Sequence, residues 1–246
     1  MARPRILVFQ HLACEHPGIF RDFMAEDGIA WTGVELDEGA PIPNLADFDA
    51  LWVMGGPMDV WQEDAHPWLI AEKAAIRQAV VGRRMPYFGL CLGHQLLAAA
   101  LGGAVGPAAT PEIGVLDVTL TEAGRASPLM AGIPPRTSAL QWHSAEVLRV
   151  PAGAAVLAES PACAVQAMAV GERAFSLQYH VELTDTTVAD WAAIPEYRAA
   201  LERALGPHGL ARIGADCARN MPQFKAAARQ LYRNVMAATE RALMPA

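Results

Sequence analysis

The chain has 246 residues, 53% of them hydrophobic and 18% charged, with a formal net charge of -7. That balance excludes a disordered polypeptide, and the length leaves room for one large α/β domain or two small ones with a sizeable core. The acidic excess, without any Lys/Arg-rich patch, argues against a nucleic-acid partner.

Arg5 to Gln10 is a continuous apolar run of the kind found in a strand covered on both faces. Gly18 to Asp27 reads as a short helix ending at Gly28, Trp31 to Leu36 as a second strand, and Ala50 to Met54 as a third that stops at Gly55-Gly56-Pro57. From His66 to Val81 apolar residues recur at helical spacing, and this helix leads into a strand over Pro86 to Leu90 and a helix over Gln95 to Leu101. Strand-helix-strand repeats of this kind predict right-handed crossovers and a mostly parallel sheet. After Gly103 the pattern becomes β-rich, with short strands at Gly114 to Leu120, Ser138 to Val147, Ala154 to Ala158, Val165 to Val170 and Ala174 to Tyr179. Thr187 to Leu205 and Asp216 to Leu243 read as closing helices, joined by a loop over Gly206 to Gly214. The expected architecture is a single α/β domain over residues 1–246, an open, mostly parallel sheet flanked by helices, with a small β-rich extension and C-terminal helices.

The N-terminal segment, Met1-Ala-Arg-Pro-Arg-Ile-Leu-Val-Phe, holds too few apolar residues for a secretory signal. No stretch reaches the roughly 18 apolar residues of a membrane helix, so the expectation is a cytoplasmic protein with no membrane partner. Cys14, Cys91, Cys163 and Cys217 are far apart with no C-x-x-C pair, which suggests neither a metal site nor a disulfide framework, and no cofactor is called for.

Cys91 stands where the strand gives way to the helix, inside Gly89-Leu-Cys-Leu-Gly93. A sharp strand-to-helix turn needs glycine where backbones crowd, and the result is a nucleophile elbow with sulfur in place of a hydroxyl. Free N–H groups at a helix start favour the reactive thiolate. The plainer alternative is a small buried hydrophobe, the commoner fate of a free cysteine. A cysteine nucleophile needs a base and an orienting group. Leu177-Gln-Tyr-His-Val-Glu182 supplies both, because His180 and Glu182 at i and i+2 share a face of extended chain. The Leu92 N–H and a backbone N–H of the Gly55-Gly56 turn are candidate oxyanion donors.

Taken together, Gly89-Leu-Cys-Leu-Gly-His-Gln95, Met54-Gly-Gly-Pro57 and Gln178-Tyr-His-Val-Glu182 resemble the class I (triad) glutamine amidotransferase family, close to the glutaminase domains of GMP synthases. The resemblance runs over roughly residues 5 to 185 and implies a flavodoxin-like fold, with residues 186–246 as a helical extension of this core. It implies that Cys91 attacks the side-chain amide of glutamine, that His180 serves as base and then acid, that Glu182 orients it, and that Gly56 and Leu92 supply the oxyanion N–H groups. It also implies that Gln95 helps hold the amino-acid end of the substrate, and the backbone around Gln141-Trp142-His143 resembles another glutamine-contacting segment of the family. Two departures stand out: Val181 replaces the family's proline, and His143-Ser-Ala145 lacks the acid of the family's His-Gly-Asp-like segment.

The chain contains no Gly-x-x-x-x-Gly-Lys-[Ser/Thr] phosphate loop. Either a separate ammonia-accepting synthetase subunit is its partner, or the chain hydrolyses a γ-glutamyl amide or peptide alone. Asp59, Trp61 and Asp64, in the Pro57 to Pro67 loop, are candidates for choosing the leaving group. Two other classes are weighed: a non-catalytic binding module, disfavoured by the intact Cys91, His180 and Glu182, and a cysteine-dependent chaperone, glyoxalase or protease, disfavoured by the downstream His-x-Glu.

Overall fold

The computed structural model describes residues 3–244; Met1 and Ala2 of the N-terminal segment, with Pro245 and Ala246, lie outside the described residues. Its frame is a nine-stranded sheet in the order β2-β1-β3-β4-β9-β8-β7-β5-β6. Strands β1 (Arg5–Gln10), β2 (Ala30–Glu35), β3 (Ala50–Val53) and β4 (Tyr87–Leu90) are parallel, and β9 (Ala174–Leu177) joins them in parallel beside β4. The rest is antiparallel: a long hairpin of β5 (Ala104–Leu120) and β6 (Arg136–Arg149), then β7 (Ala154–Glu159) and β8 (Ala167–Val170).

The unbroken apolar run of β1 reflects burial on both faces. Ile6 and Val8 pack with Phe20, Phe23 and Met24 of α1 (Phe20–Asp27) and with Leu231 and Tyr232 of the last helix. Leu7 and Phe9 pack with Leu69 and Ile76 of α2 (Trp68–Arg77) and with Leu96 and Leu97 of α3 (Leu92–Ala100). Alternate side chains thus serve two cores, which is why no polar residue interrupts the strand.

Several boundaries differ from the sequence expectation. β5 starts at Ala104, well before Gly114, because its first half is a partly exposed hairpin arm held by pairing to β6 and carries no alternating pattern. The helix expected over Thr187 to Leu205 is two, α5 (Thr187–Ala192) and α6 (Pro195–Leu205), after the short α4 (Glu122–Ala126). Pro195 forces the preceding residue out of the helical region, and Ile194 has φ -80° and ψ 125°. Helix α7 (Gly209–Leu243) swallows most of the loop expected over Gly206 to Gly214, since Ile213 and Cys217, one turn apart, are buried in a third cluster with Leu140, Trp142, Trp191 and Leu201. No helix of the described residues is long and apolar enough to cross a membrane.

Candidate active site

Four segments leave the carboxyl ends of β1, β3, β4 and β9 on the same side of the sheet, where open α/β folds form their sites. Cys91 follows β4 directly and caps α3, with φ 49° and ψ -102°, a conformation that residues with a Cβ rarely adopt. Its N–H donates to Leu177 O at 2.8 Å, tying the elbow to β9. The flanking glycines are steric necessities. A Cβ on Gly93 would lie 2.1 Å from Val53 O, and one on Gly89 would lie 2.7 Å from the Gly93 backbone.

His180 is placed by a single bridge, its N–H donating to Leu140 O at 2.9 Å. The Glu182 backbone is fixed from the other side, where Ile19 N–H donates to Glu182 O at 2.9 Å. Both side chains are buried, and His180 Nδ1 lies 2.7 Å from Glu182 Oε1 while the Val181 N–H donates to Glu182 Oε2 at 2.8 Å. The Trp191 ring packs edge-on to the imidazole with centroids 4.4 Å apart. Burial opposes a charge on His180, but the Glu182 carboxylate and the Cys91 sulfur outweigh it and hold the imidazole well above its ordinary pKa. For Glu182 burial likewise opposes the charge, and the His180 partner and backbone N–H groups overcome it, lowering the carboxyl's pKa. The other three thiols sit elsewhere: burial pushes Cys14 and Cys217 up to about 11 and Cys163 up to about 12.

A cleft of about 380 Å³ opens over Cys91, lined by Gly56, Asp59, Gln95, Trp142, His143 and, from α6, Glu196, Tyr197 and Arg203. Among the described residues, neither the Gly56 nor the Leu92 backbone N–H meets a protein acceptor. Gln95 reaches the cleft, but its Nε2 is committed to Ala145 O and Gln178 Oε1, each at 3.1 Å. Gln178 Nε2 in turn points at Cys91 Sγ, 3.6 Å away. His143 Nδ1 donates to Ala145 O at 3.0 Å, and its Nε2 lies 3.2 Å from the buried Glu112. Trp142 and His143 therefore line the cleft, whereas Gln141 is fully buried, does not line it, and its amide meets no partner among the described residues. Of the loop residues suggested for leaving-group choice, Asp59 lines the cleft and Trp61 and Asp64 do not.

Sequence reasoning missed several residues here. Glu15, 2% exposed, accepts a hydrogen bond from Tyr197 Oη and abuts Gly55, where an added Cβ would lie 2.4 Å from Glu15 Oε2. No local signal connects residue 15 to residue 197. Gln178 was legible in principle, since it shares a strand face with His180. His94, in contrast, is a packing residue: burial lowers it to about 3, with Nε2 on Val165 O and Nδ1 on Ser176 Oγ. A larger groove of about 670 Å³ between α4, β7 and α7 lies apart from Cys91 and offers neither thiol nor imidazole.

The geometry matches a known class. The sequence model described as "Glutamine amidotransferase class-I" matches residues 24–190, so the chain belongs to the class I glutamine amidotransferase family and is an enzyme of that class. Among particular relatives, it is 36% identical to the glutamine amidotransferase-like protein YfeJ of Salmonella typhimurium, over 73% of this chain and 76% of that one. It is 33% identical to one subunit of the glutamine-hydrolyzing GMP synthase of Sulfolobus acidocaldarius, over 62% of this chain and 77% of that one. The crystal structure of a glutamine amidotransferase from Methylobacillus flagellatus superposes with a TM-score of 0.85 at 27% identity, covering 96% of each chain. One from Thermotoga maritima has the same fold, with a TM-score of 0.85 at 24% identity over 96% of this chain and 99% of that one.

Proposed function

We propose that this chain releases ammonia or an amine from the γ-amide of glutamine or a γ-glutamyl compound through a Cys91 thioester. The observation that carries the reading is the strained Cys91 elbow, onto which a buried His180–Glu182 pair converges. His180 takes the thiol proton, and the sulfur attacks the γ-carbonyl carbon. The oxyanion that forms is met by the Gly56 and Leu92 N–H groups. As the tetrahedral adduct collapses, the C–N bond breaks and imidazolium protonates the leaving nitrogen. Water activated by His180 then attacks the thioester, releasing the γ-carboxylate and returning the proton to sulfur. Glu182 keeps the imidazole in the productive tautomer throughout.

Gln95, Trp142 and His143 serve as the substrate wall. Because Ala145 stands where the family carries an acid, Asp59, Glu196 and Arg203 are the charges left in the cleft for the amino-acid end of the substrate. The relative that forms one subunit of a GMP synthase favours delivery of ammonia to a separate synthetase partner. The α6 wall favours a second reading, a stand-alone γ-glutamyl hydrolase, because a helix across the cleft suits selection of a bulkier leaving amine. Either activity fits a cytoplasmic enzyme.

Glutamate release from glutamine and from a panel of γ-glutamyl amides and peptides tests the reading. Cys91→Ser is expected to reduce turnover to below about a thousandth while leaving the fold intact, and Glu182→Gln to reduce it roughly a hundredfold or more with substrate binding retained. Turnover that survives Cys91→Ser removes the thioester from the mechanism. Preference for one γ-glutamyl compound over glutamine marks the independent hydrolase, whereas activity that rises on adding a synthetase partner marks the ammonia donor.

A further inference from the structure

The Gly55–Gly56 peptide carries one of the two oxyanion donors, and what holds that peptide is not the triad. We propose that His11 and Glu72 form a second histidine–carboxylate pair that positions this peptide, so that the Gly56 N–H faces the developing oxyanion. The inference rests on the thioester reading above and assigns positioning residues to it.

His11 follows β1 directly, and β1 lies beside β3, whose end leads into Gly55. His11 Nδ1 is 2.7 Å from Gly55 O, and Nε2 is 2.9 Å from Glu72 Oε1 on α2. Both residues are 0% exposed. A carbonyl only accepts, so Nδ1 carries a proton and donates it, and Nε2–H faces a carboxylate, which also accepts. The two contacts together describe an imidazolium. Burial works against that charge, but the Glu72 carboxylate, its hydrogen bond and the Gly55 carbonyl prevail and raise the ring's pKa.

No peptide bond among the described residues is cis. In a trans peptide the carbonyl and the N–H point in opposite directions, so pinning Gly55 O toward His11 turns Gly56 N–H the other way. Gly56 and Cys91 line one cleft together, and the proposal aims that N–H into it. A cation on the carbonyl also polarises the peptide and makes its N–H a stronger donor. The peptide is clamped as well as aimed: a Cβ on Gly56 would lie 2.9 Å from His11 Cβ and 2.8 Å from Leu92 Cδ2. Trp68 stacks on the His11 ring, with centroids 5.3 Å apart and planes 17° from parallel. A buried ion pair is a weak stabiliser, and Glu72 Oε2 meets no partner at all among the described residues, so stability alone gives no reason to keep the pair.

Three variants test this. His11→Leu, which removes the donor, should lower kcat about a hundredfold with KM within about twofold. Glu72→Gln, nearly isosteric, keeps the contact and removes the charge, and should lower kcat about tenfold; it carries the test if the leucine variant does not fold. His11→Asn, whose amide nitrogen can take the place of Nδ1, should recover part of what leucine loses. The γ-aldehyde analogue of glutamine, which adds to Cys91 and puts its oxygen in the same hole, should lose affinity in step with kcat. Alkylation of Cys91 by iodoacetamide needs no oxyanion hole and should keep its wild-type rate. Wild-type turnover and aldehyde affinity in both His11→Leu and Glu72→Gln would overturn the proposal, and so would alkylation falling along with turnover, since the pair would then merely brace the fold. A wild-type chain that neither hydrolyses any γ-glutamyl substrate nor binds the aldehyde overturns the thioester reading itself.

Discussion

At the scale of single residues, Glu15 has the most measurable property. Burial raises its carboxyl from 4.5 to about 7, against the opposing pull of His180 and Tyr197. Between those two values the folded chain holds a proton that the unfolded chain has released, so stability is greatest at the acidic end of the window and falls as pH rises through about 7. The linkage amounts to at most about 3 kcal/mol. Glu15→Gln cannot ionise and still offers Tyr197 an acceptor, so its denaturant midpoint should change less than the wild-type's between about pH 5 and about pH 8; an equal change in both chains would remove Glu15 from the linkage. The site's legibility follows the same division between local and distant. Cys91, His180 and Glu182 could be read because each announces itself within a few residues, by flanking glycines or by an i, i+2 pair. Glu15, Tyr197, His11 and Glu72 could not, because their partners are brought to them only by the sheet. Gln141 stands apart for a related reason: its neighbours Trp142 and His143 line the cleft, while its own side chain is fully buried and does not line it.

At the scale of elements, the crossing of β3, β4 and α3 leaves no room for a side chain on Gly93. Gly93→Ala puts a methyl 2.1 Å from the Val53 carbonyl, a backbone atom that cannot step aside, and should cost about 3 kcal/mol in urea unfolding. Gly153→Ala has nothing within 4 Å and a φ of +78°, so only the left-handed backbone is at issue, at about 1 kcal/mol. Equal costs at the two positions would mean that the elbow can relax. The parallel strands were legible because double-sided burial writes itself as an apolar run, and the break before α6 was written in Pro195. The first half of β5 was not, since exposed hairpin arms are specified by their partner strand more than by their own pattern. Only the start of helix α7, from Gly209 through Gly214, ran against local signals, because Ile213 and Cys217 on its buried face outweigh them.

At the scale of the whole molecule, we propose that the chain unfolds as one domain, supported by a sheet in which all nine strands are joined and by an α7 that contributes to two of the three apolar clusters. Calorimetry should then give one transition with equal calorimetric and van't Hoff enthalpies, and two resolved transitions would divide the chain. The bridge between Leu140 and His180 has a further consequence. Following the ladder from β9 through β8, β7 and β5 leads to β6, and the bridge returns from β6 to the segment that continues β9. The antiparallel half is therefore a ring, closed at the residue proposed as the base. An open sheet exposes a row of unpaired groups at each margin, a template for unwanted pairing with other chains. Here one margin is stitched back onto the sheet at Leu140, so the contact that holds His180 also ties down β6 at that residue, and hydrogen exchange at the His180 amide would report on both at once.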